Sequence, residues 1–365
     1  MNDNSVSRRL FMSAVAAAPA APAMLAADTS DRIVTFDPPP ARIKMITATA
    51  RSVVGPARYT PAEIKQITSA ANNVELILPA NQAELDKNLP DADVILGSLS
   101  AEMLARAKNL KWLQAVEAGM EGILFPELIK SNVVVTNMAR MFAPAIAESA
   151  IGMLLSLTRG YVKYYFPQFQ KRTWNSERNL VEVEGLTMGI VGCGGLGQAV
   201  ATKAKYGFNM KVLAVDAKPM AKPVFVDVLR EPAWMMEMIP QCDILVNTCP
   251  SYKETNDMFN AKVFGAMKKT AYFLGMSRGA LVDESALAAA LKEGRIAGAA
   301  LDVTKQEPLP ATSELWDCPN LVLSCHSSGF SPGRQVRLIG LIAENVRRYG
   351  SGLPLMNVVD KVRGY

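Results

Sequence analysis

Three side chains, distant in the sequence, have the types needed to move a proton and polarise a carbonyl. They are Arg278 in Ser277-Arg278-Gly279, Glu307 in Glu307-Pro308-Leu309-Pro310, and His326, the one histidine among 365 residues. Imidazole titrates near neutrality, so His326 can give a proton to a developing alkoxide. A carboxylate hydrogen-bonded to that ring fixes its tautomer and supports its charged form. A guanidinium can clamp a substrate carboxylate and polarise the carbonyl next to it. Each residue also has an ordinary reading. Arg278 could cap a turn, Glu307 could be a solvated loop acid, and His326 could be a satisfied core histidine.

What makes the three worth joining is the kind of element each follows. Residues 271–274, 296–301 and 321–323 read as short buried strands, and the three groups lie just beyond their C-terminal ends. In open α/β sheets that edge is where ligands bind. Upstream, Thr187 to Val191 reads as a strand that turns through Gly192-x-Gly194-x-x-Gly197 into a helix, and Lys211 to Val215 is the next strand. Gly192 makes the tight turn, Gly194 lets a pyrophosphate approach the backbone, and Gly197 allows close helix–strand packing. First-turn N–H groups and the helix dipole then hold the phosphates. Asp216 stands 19 residues after Gly197, at the end of the second strand. It can accept hydrogen bonds from both adenosine ribose hydroxyls, and its charge would repel a 2′-phosphate. The expected cofactor is therefore NAD rather than NADP.

Before that unit, strands expected at 44–47, 74–78, 93–96, 111–116 and 133–136 alternate with helices at 61–70, around Ala83 and at 101–107. Thr60 is the expected N-cap of the first helix, with Pro61 at its first position. Such alternation implies a parallel sheet covered on both faces. The fold class expected is α/β with two doubly wound parallel-sheet domains. Residues 143–159 form the longest apolar helical stretch, leading into Tyr161 to Trp174 as a candidate interdomain or subunit contact. A last helix is expected over 334–349.

At the amino terminus, Ser7-Arg8-Arg9-Leu10-Phe11 precedes an Ala-rich, weakly apolar run to about Ala27. Basic, apolar and small-residue regions in that order predict a signal peptide over 1–27, and the paired arginines resemble a twin-arginine export signal. The expected location is periplasmic, with the cytoplasm as the alternative. Half of the residues are apolar and the net charge is +5, with basic residues dispersed, so nucleic-acid binding has no support. No run is apolar over the roughly 18 residues of a membrane span. The five cysteines, Cys193, Cys242, Cys249, Cys318 and Cys325, show no metal spacing and no paired framework. They read as small, inert side chains, and no metal is expected.

Taken together, Leu186-Thr-Met-Gly-Ile-Val-Gly-Cys-Gly-Gly-Leu-Gly197, Ser277-Arg278-Gly279-Ala-Leu-Val-Asp283, Ala300-Leu-Asp302-Val303, Glu307-Pro308 and His326-x-x-Gly329 resemble the D-isomer-specific 2-hydroxyacid dehydrogenases. The spacings, 29 residues from Arg278 to Glu307 and 19 from Glu307 to His326, are similar to that family's. The resemblance implies a Rossmann NAD-binding domain, 149–324, inserted into a flavodoxin-like substrate domain built from 28–148 and 325–365. It implies His326 as acid/base, Glu307 as its support and Arg278 as the substrate clamp. Cofactor contacts would come from Gly192, Gly194, Gly195, Leu196, Gly197, Asp216, Cys249, Pro250, Met276, Ser277, Arg278, Asp302, Ser328 and Gly329. Asp302 would meet the nicotinamide carboxamide. Substrate contacts would come from Ala118 and Gly119, in a loop whose amides hold the carboxylate, and from Arg278 and His326. The implied substrate is a small 2-oxo or 2-hydroxy acid, as in glyoxylate or hydroxypyruvate reduction, and the implied assembly is a homodimer.

Three positions depart from the family pattern. Gly275-Met276 replaces an Asn-Thr-like pair, which would loosen the cofactor edge. Cys325 stands where a proline usually precedes the histidine, which would aim His326 less rigidly. Glu117 brings a negative charge to the substrate loop. At about 4 Å from a substrate carboxylate, with an effective dielectric near 20, its repulsion would be about 4 kcal/mol. The alternative reading is a non-turnover, redox-sensing NAD(H)-binding module on the same fold, as in the C-terminal-binding-protein corepressors.

Overall fold

A computed structural model describes residues 36, 40–48 and 59–364, so the expected signal peptide at 1–27 lies outside the described residues. The described chain forms two parallel sheets. The first contains β1 (Ile43–Ala48), β2 (Val74–Ile77), β3 (Val94–Gly97), β4 (Trp112–Gln114) and β5 (Val134–Thr136), in the order β2-β1-β3-β4-β5. The second contains β6 (Thr187–Val191), β7 (Lys211–Val215), β8 (Val228–Arg230), β9 (Ile244–Asn247), β10 (Tyr272–Gly275), β11 (Gly298–Leu301) and β12 (Leu321–Leu323), in the order β12-β11-β10-β9-β6-β7-β8. The first order is that of flavodoxin. The second is a dinucleotide-binding order with one strand added, and its switch point falls between β6 and β9.

Side chains alternate across each sheet, and both faces are covered, which is why the strands read as continuous apolar runs. In the first sheet Met45, Val94 and Trp112 face one core with Leu338, Ile342 and Tyr349, while Ile46, Ile95 and Leu113 face another with Leu85, Leu89 and Leu128. So the last helix, Pro332–Gly350, returns to cover the first sheet. In the second sheet Leu213, Leu245 and Phe273 face one way, and Val212, Ile244 and Leu274 the other. There the Ala143–Thr158 helix packs Ala147, Ala150 and Leu154 against Val200, Ala201 and Ala204 of the Gly195–Phe208 helix.

Local signals account for the helix starts. Thr60 Oγ1 accepts the Glu63 N–H at 3.3 Å, and the Glu63 carboxylate accepts the Thr60 N–H at 2.6 Å, closing a capping box ahead of Pro61. The stretch after the long apolar helix is one π-helical turn, Tyr161–Tyr165, and then a short helix, Phe166–Lys171. It leaves Phe169 and Trp174 almost fully exposed.

Candidate active site

The C-terminal ends of β6, β9, β10 and β11 open onto a cleft of about 1610 Å³ that also touches the first sheet. At its floor the glycine loop follows β6. Gly192 has φ +96°, and a Cβ there would stand 2.6 Å from the Cys249 backbone, so this turn admits only glycine. A Cβ on Gly197 would collide with the Gly192 carbonyl, which places Gly197 behind the loop as a packing residue. Gly194 differs. Its φ is an ordinary −72° and no atom of the chain lies within 4 Å of a Cβ built on it. Nothing within the protein requires glycine there, and the bare backbone faces the cleft. That is the cradle a dinucleotide pyrophosphate needs. Asp216 binds the loop directly: its carboxylate accepts N–H bonds from Cys193 at 2.7 Å and Lys218 at 2.8 Å.

Asp302, only 2% exposed at the end of β11, organises the turn after β12. Its Oδ1 accepts the Ser324 hydroxyl at 2.6 Å and the Ser327 and Ser328 N–H groups at 3.2 Å each. Its carbonyl accepts the His326 N–H at 2.8 Å. Within that turn His326 takes a left-handed backbone, φ +52°, which a non-glycine residue holds only when its surroundings impose it. The backbone of His326 is thus held by Asp302, with Cys325 standing in the place of a proline. His326 Nδ1 lies 2.7 Å from Glu307 Oε2, while Glu307 Oε1 accepts the Thr304 N–H at 3.1 Å. A side chain on Gly279 would collide with the Thr304 carbonyl, so the Arg278 loop and the Glu307 loop touch.

Arg278 donates from Nη1 to the Ser277 carbonyl at 2.8 Å and from Nε to Glu121 Oε1 at 3.0 Å. Glu121 belongs to the loop after β4, on the opposite wall. Gly119 lies directly beneath this pair, for a side chain there would collide with Arg278 Nη2 and Glu121 Oε2. Ala118 is fixed through its carbonyl, which accepts Asn137 Nδ2 at 2.8 Å. Glu117 is exposed and also lines the cleft.

Of the residues expected at the site, Ala118, Gly119, Gly192, Gly194, Gly195, Leu196, Asp216, Cys249, Pro250, Met276, Ser277, Arg278, Asp302, His326 and Gly329 all line this one cleft. Ser328 does not. It is buried, and its N–H is spent on Asp302. Glu307 meets the site only through His326. Gly275 is closely packed, for a Cβ there would lie 2.6 Å from Leu301, and Met276 beside it is 2% exposed. Burial pushes the Cys193, Cys242 and Cys249 thiols up to about 12, which keeps them protonated and inert. No group of His, Cys, Asp and Glu suited to a metal occurs among the described residues.

Sequence reasoning missed Glu121 and Asn247. Asn247 is fully buried, and its Oδ1 accepts the Ser277 hydroxyl at 3.0 Å and the Cys249 N–H at 3.3 Å, tying two cleft loops together. An Asn ending the apolar run Ile-Leu-Val was the available signal.

Two parallel sheets over one shared cleft, with a glycine loop after β6, form the two-domain fold of the nucleotide-dependent 2-hydroxyacid dehydrogenases. Residues 151–328 match the model of the D-isomer specific 2-hydroxyacid dehydrogenase NAD-binding domain. A glyoxylate reductase of Thermofilum pendens is 34% identical over 276 residues, covering 73% of this chain and 81% of its own. The chain belongs to the D-isomer specific 2-hydroxyacid dehydrogenase family. A solved family member from Aeromonas salmonicida is 27% identical, with a TM-score of 0.72 over 88% of this chain and 100% of that one. The fold is shared too with an NADPH-dependent glyoxylate/hydroxypyruvate reductase of Sinorhizobium meliloti, solved with NADP and sulfate, at 24% identity and a TM-score of 0.70 over 89% and 100%.

Proposed function

We propose that this protein is an NAD-dependent dehydrogenase that interconverts a small 2-oxo acid and its D-2-hydroxy acid. The observation that carries the reading is the joint placement of His326, with its Glu307 partner, and Arg278 in the cleft over the Gly194 cradle. NAD(H) bound on that cradle would supply or accept the hydride. The chain's own residues bind, orient and move the proton. Gly192, Gly194, Gly195 and Leu196 hold the pyrophosphate. Asp216 reads the ribose hydroxyls and turns away a 2′-phosphate. The Ala118–Gly119 amides and Arg278 fix the substrate carboxylate, and Arg278 polarises the carbonyl. Glu307 holds Nδ1 of His326, which leaves Nε2 as the nitrogen that gives a proton to the carbonyl oxygen or takes it back.

The exposed aromatics from Tyr161 to Trp174 support a homodimer, since a second copy would bury them, and light scattering tests this. Export rests on the residues at 1–27 alone. Fractionation that finds the full chain only in the cytoplasm would remove it.

The test of function is NADH and NADPH oxidation by the protein lacking residues 1–27, against a panel of 2-oxo acids. Turnover with NADH is expected. NADH bound without turnover of any member would make this a binding module.

A further inference from the structure

The 2-oxo acid reading gives no task to Arg334, a cation of the cleft. Arg334 stands in the first turn of the Pro332–Gly350 helix and lines the cleft with His326 and Arg278. Its guanidinium carbon lies over two rings, 5.0 Å from the centroid of Phe142 and 4.9 Å from that of Phe330. Its Nε is buried and has no hydrogen-bond partner. No acid pairs with it among the described residues, whereas Arg278 has Glu121, Arg347 and Arg348 share Glu344, and Arg337 donates to the Met141 carbonyl.

An arginine serving only solubility needs neither two ring contacts nor a shielded Nε. Contact with two ring faces restricts the guanidinium, which lowers the ordering cost of receiving an oxyanion on its terminal N–H groups. The receptor adjoins the chemistry. Phe142 would touch a Cβ on Gly329 at 3.4 Å, and the Phe330 N–H bonds the Ser327 carbonyl at 3.0 Å, so ring, cation and the His326 turn form one wall.

We propose that Arg334 binds a second carboxylate at the far end of the substrate, so that the preferred substrates are 2-oxo dicarboxylates. Charge sets the class. Arg278 is matched by Glu121, whereas Arg334 lines the same cleft with no acid beside it among the described residues, and Glu117 there repels a doubly charged phosphate more than a carboxylate. The proposal rests on the 2-oxo acid reading and deepens it.

The test compares 2-oxoglutarate with 2-oxovalerate, equal in length but ending in a methyl group. Both are titrated into the protein–NADH complex by calorimetry and assayed for NADH oxidation. The wild type is expected to favour 2-oxoglutarate about tenfold or more. Arg334→Gln should weaken 2-oxoglutarate about 10–100-fold, as for a lost charged hydrogen bond, and leave 2-oxovalerate within about threefold. Arg334→Lys keeps the charge without the planar fork and should recover part of the loss. Retained 2-oxovalerate handling in Arg334→Gln shows that the variant is folded. Equal preference in the wild type, or equal loss for both acids in Arg334→Gln, would overturn the proposal. If neither acid turns over, the wider panel of 2-oxo acids decides the dehydrogenase reading, and the calorimetric comparison still decides whether Arg334 selects the dicarboxylate.

Discussion

Arg278 and Glu121 join the two walls of the cleft, with Nε 3.0 Å from Oε1 across 157 residues of sequence. Both side chains are partly exposed, so the pair adds little stability, and its weight falls on orientation. With Nε held by Glu121 and Nη1 by the Ser277 carbonyl, the remaining N–H groups of Arg278 are aimed over Gly119. We expect Glu121→Ala to raise KM for a 2-oxo acid by roughly 2–5-fold, the scale of an exposed pair. Glu121→Gln, which keeps an oxygen acceptor, should stay within about twofold. Equal effects of the two changes on KM would show that charge, not aim, is what Glu121 provides.

His326→Gln should lower kcat by about 10²–10⁴-fold, the usual scale of a lost acid/base, and leave NADH affinity unchanged by fluorescence titration. Glu307→Gln should lower kcat less, because an amide can still hold the ring through Nδ1. A His326→Gln enzyme of normal kcat would end the assignment.

Asp216→Ala should narrow the preference for NADH over NADPH by at least about tenfold in kcat/KM, since a carboxylate facing a phosphate is removed. It also removes the bonds to the Cys193 and Lys218 N–H groups, so some loss of NADH affinity is expected alongside. The ratio of the two cofactors is the decisive quantity. If it does not move, discrimination lies elsewhere.

On the last helix, the Arg347 hydrogen bond holds the Glu344 carboxyl below its ordinary value of 4.5, with partial burial opposing and Arg348 assisting. A carboxylate whose pKa is lowered on folding stabilises the native state above the unfolded value and loses that contribution as pH falls through the folded one. Glu344→Gln should therefore lower the apparent Tm at pH 7, by about 1–2 °C for roughly 0.5–1 kcal/mol. The gap to wild type should shrink below about pH 4, and a gap that widens there would contradict the sign.

The sequence was most legible where one segment carries its own constraint. β6, the glycine turn and β7 have the bounds read from the residues, because buried strands flanking a tight turn leave little freedom. β8 went unseen: Val228–Arg230 is a three-residue edge strand, paired to β7 alone and only half-buried. The strand expected over 111–116 shortens to Trp112–Gln114. His326 and Glu307 were readable as partners through family spacing. Glu121 was not, because an acid in a loop has no local sign that an arginine will meet it from the other sheet. The left-handed backbone of His326 was equally hidden, since it follows from three bonds to Asp302 that only the folded turn creates.

The contact of Gly279 with the Thr304 carbonyl has a consequence for how such a protein can change. It locks the loop of Arg278 to the loop that carries Glu307, and Asp302 fastens the His326 turn to the same sheet. The groups proposed for proton transfer and carbonyl polarisation thus hang on one rigid frame. Glu117, Glu121 and Arg334, which line the same cleft, hang on the first sheet and its returning helix. Appetite for substrates can drift on one half of the molecule while the reaction itself stays fixed on the other.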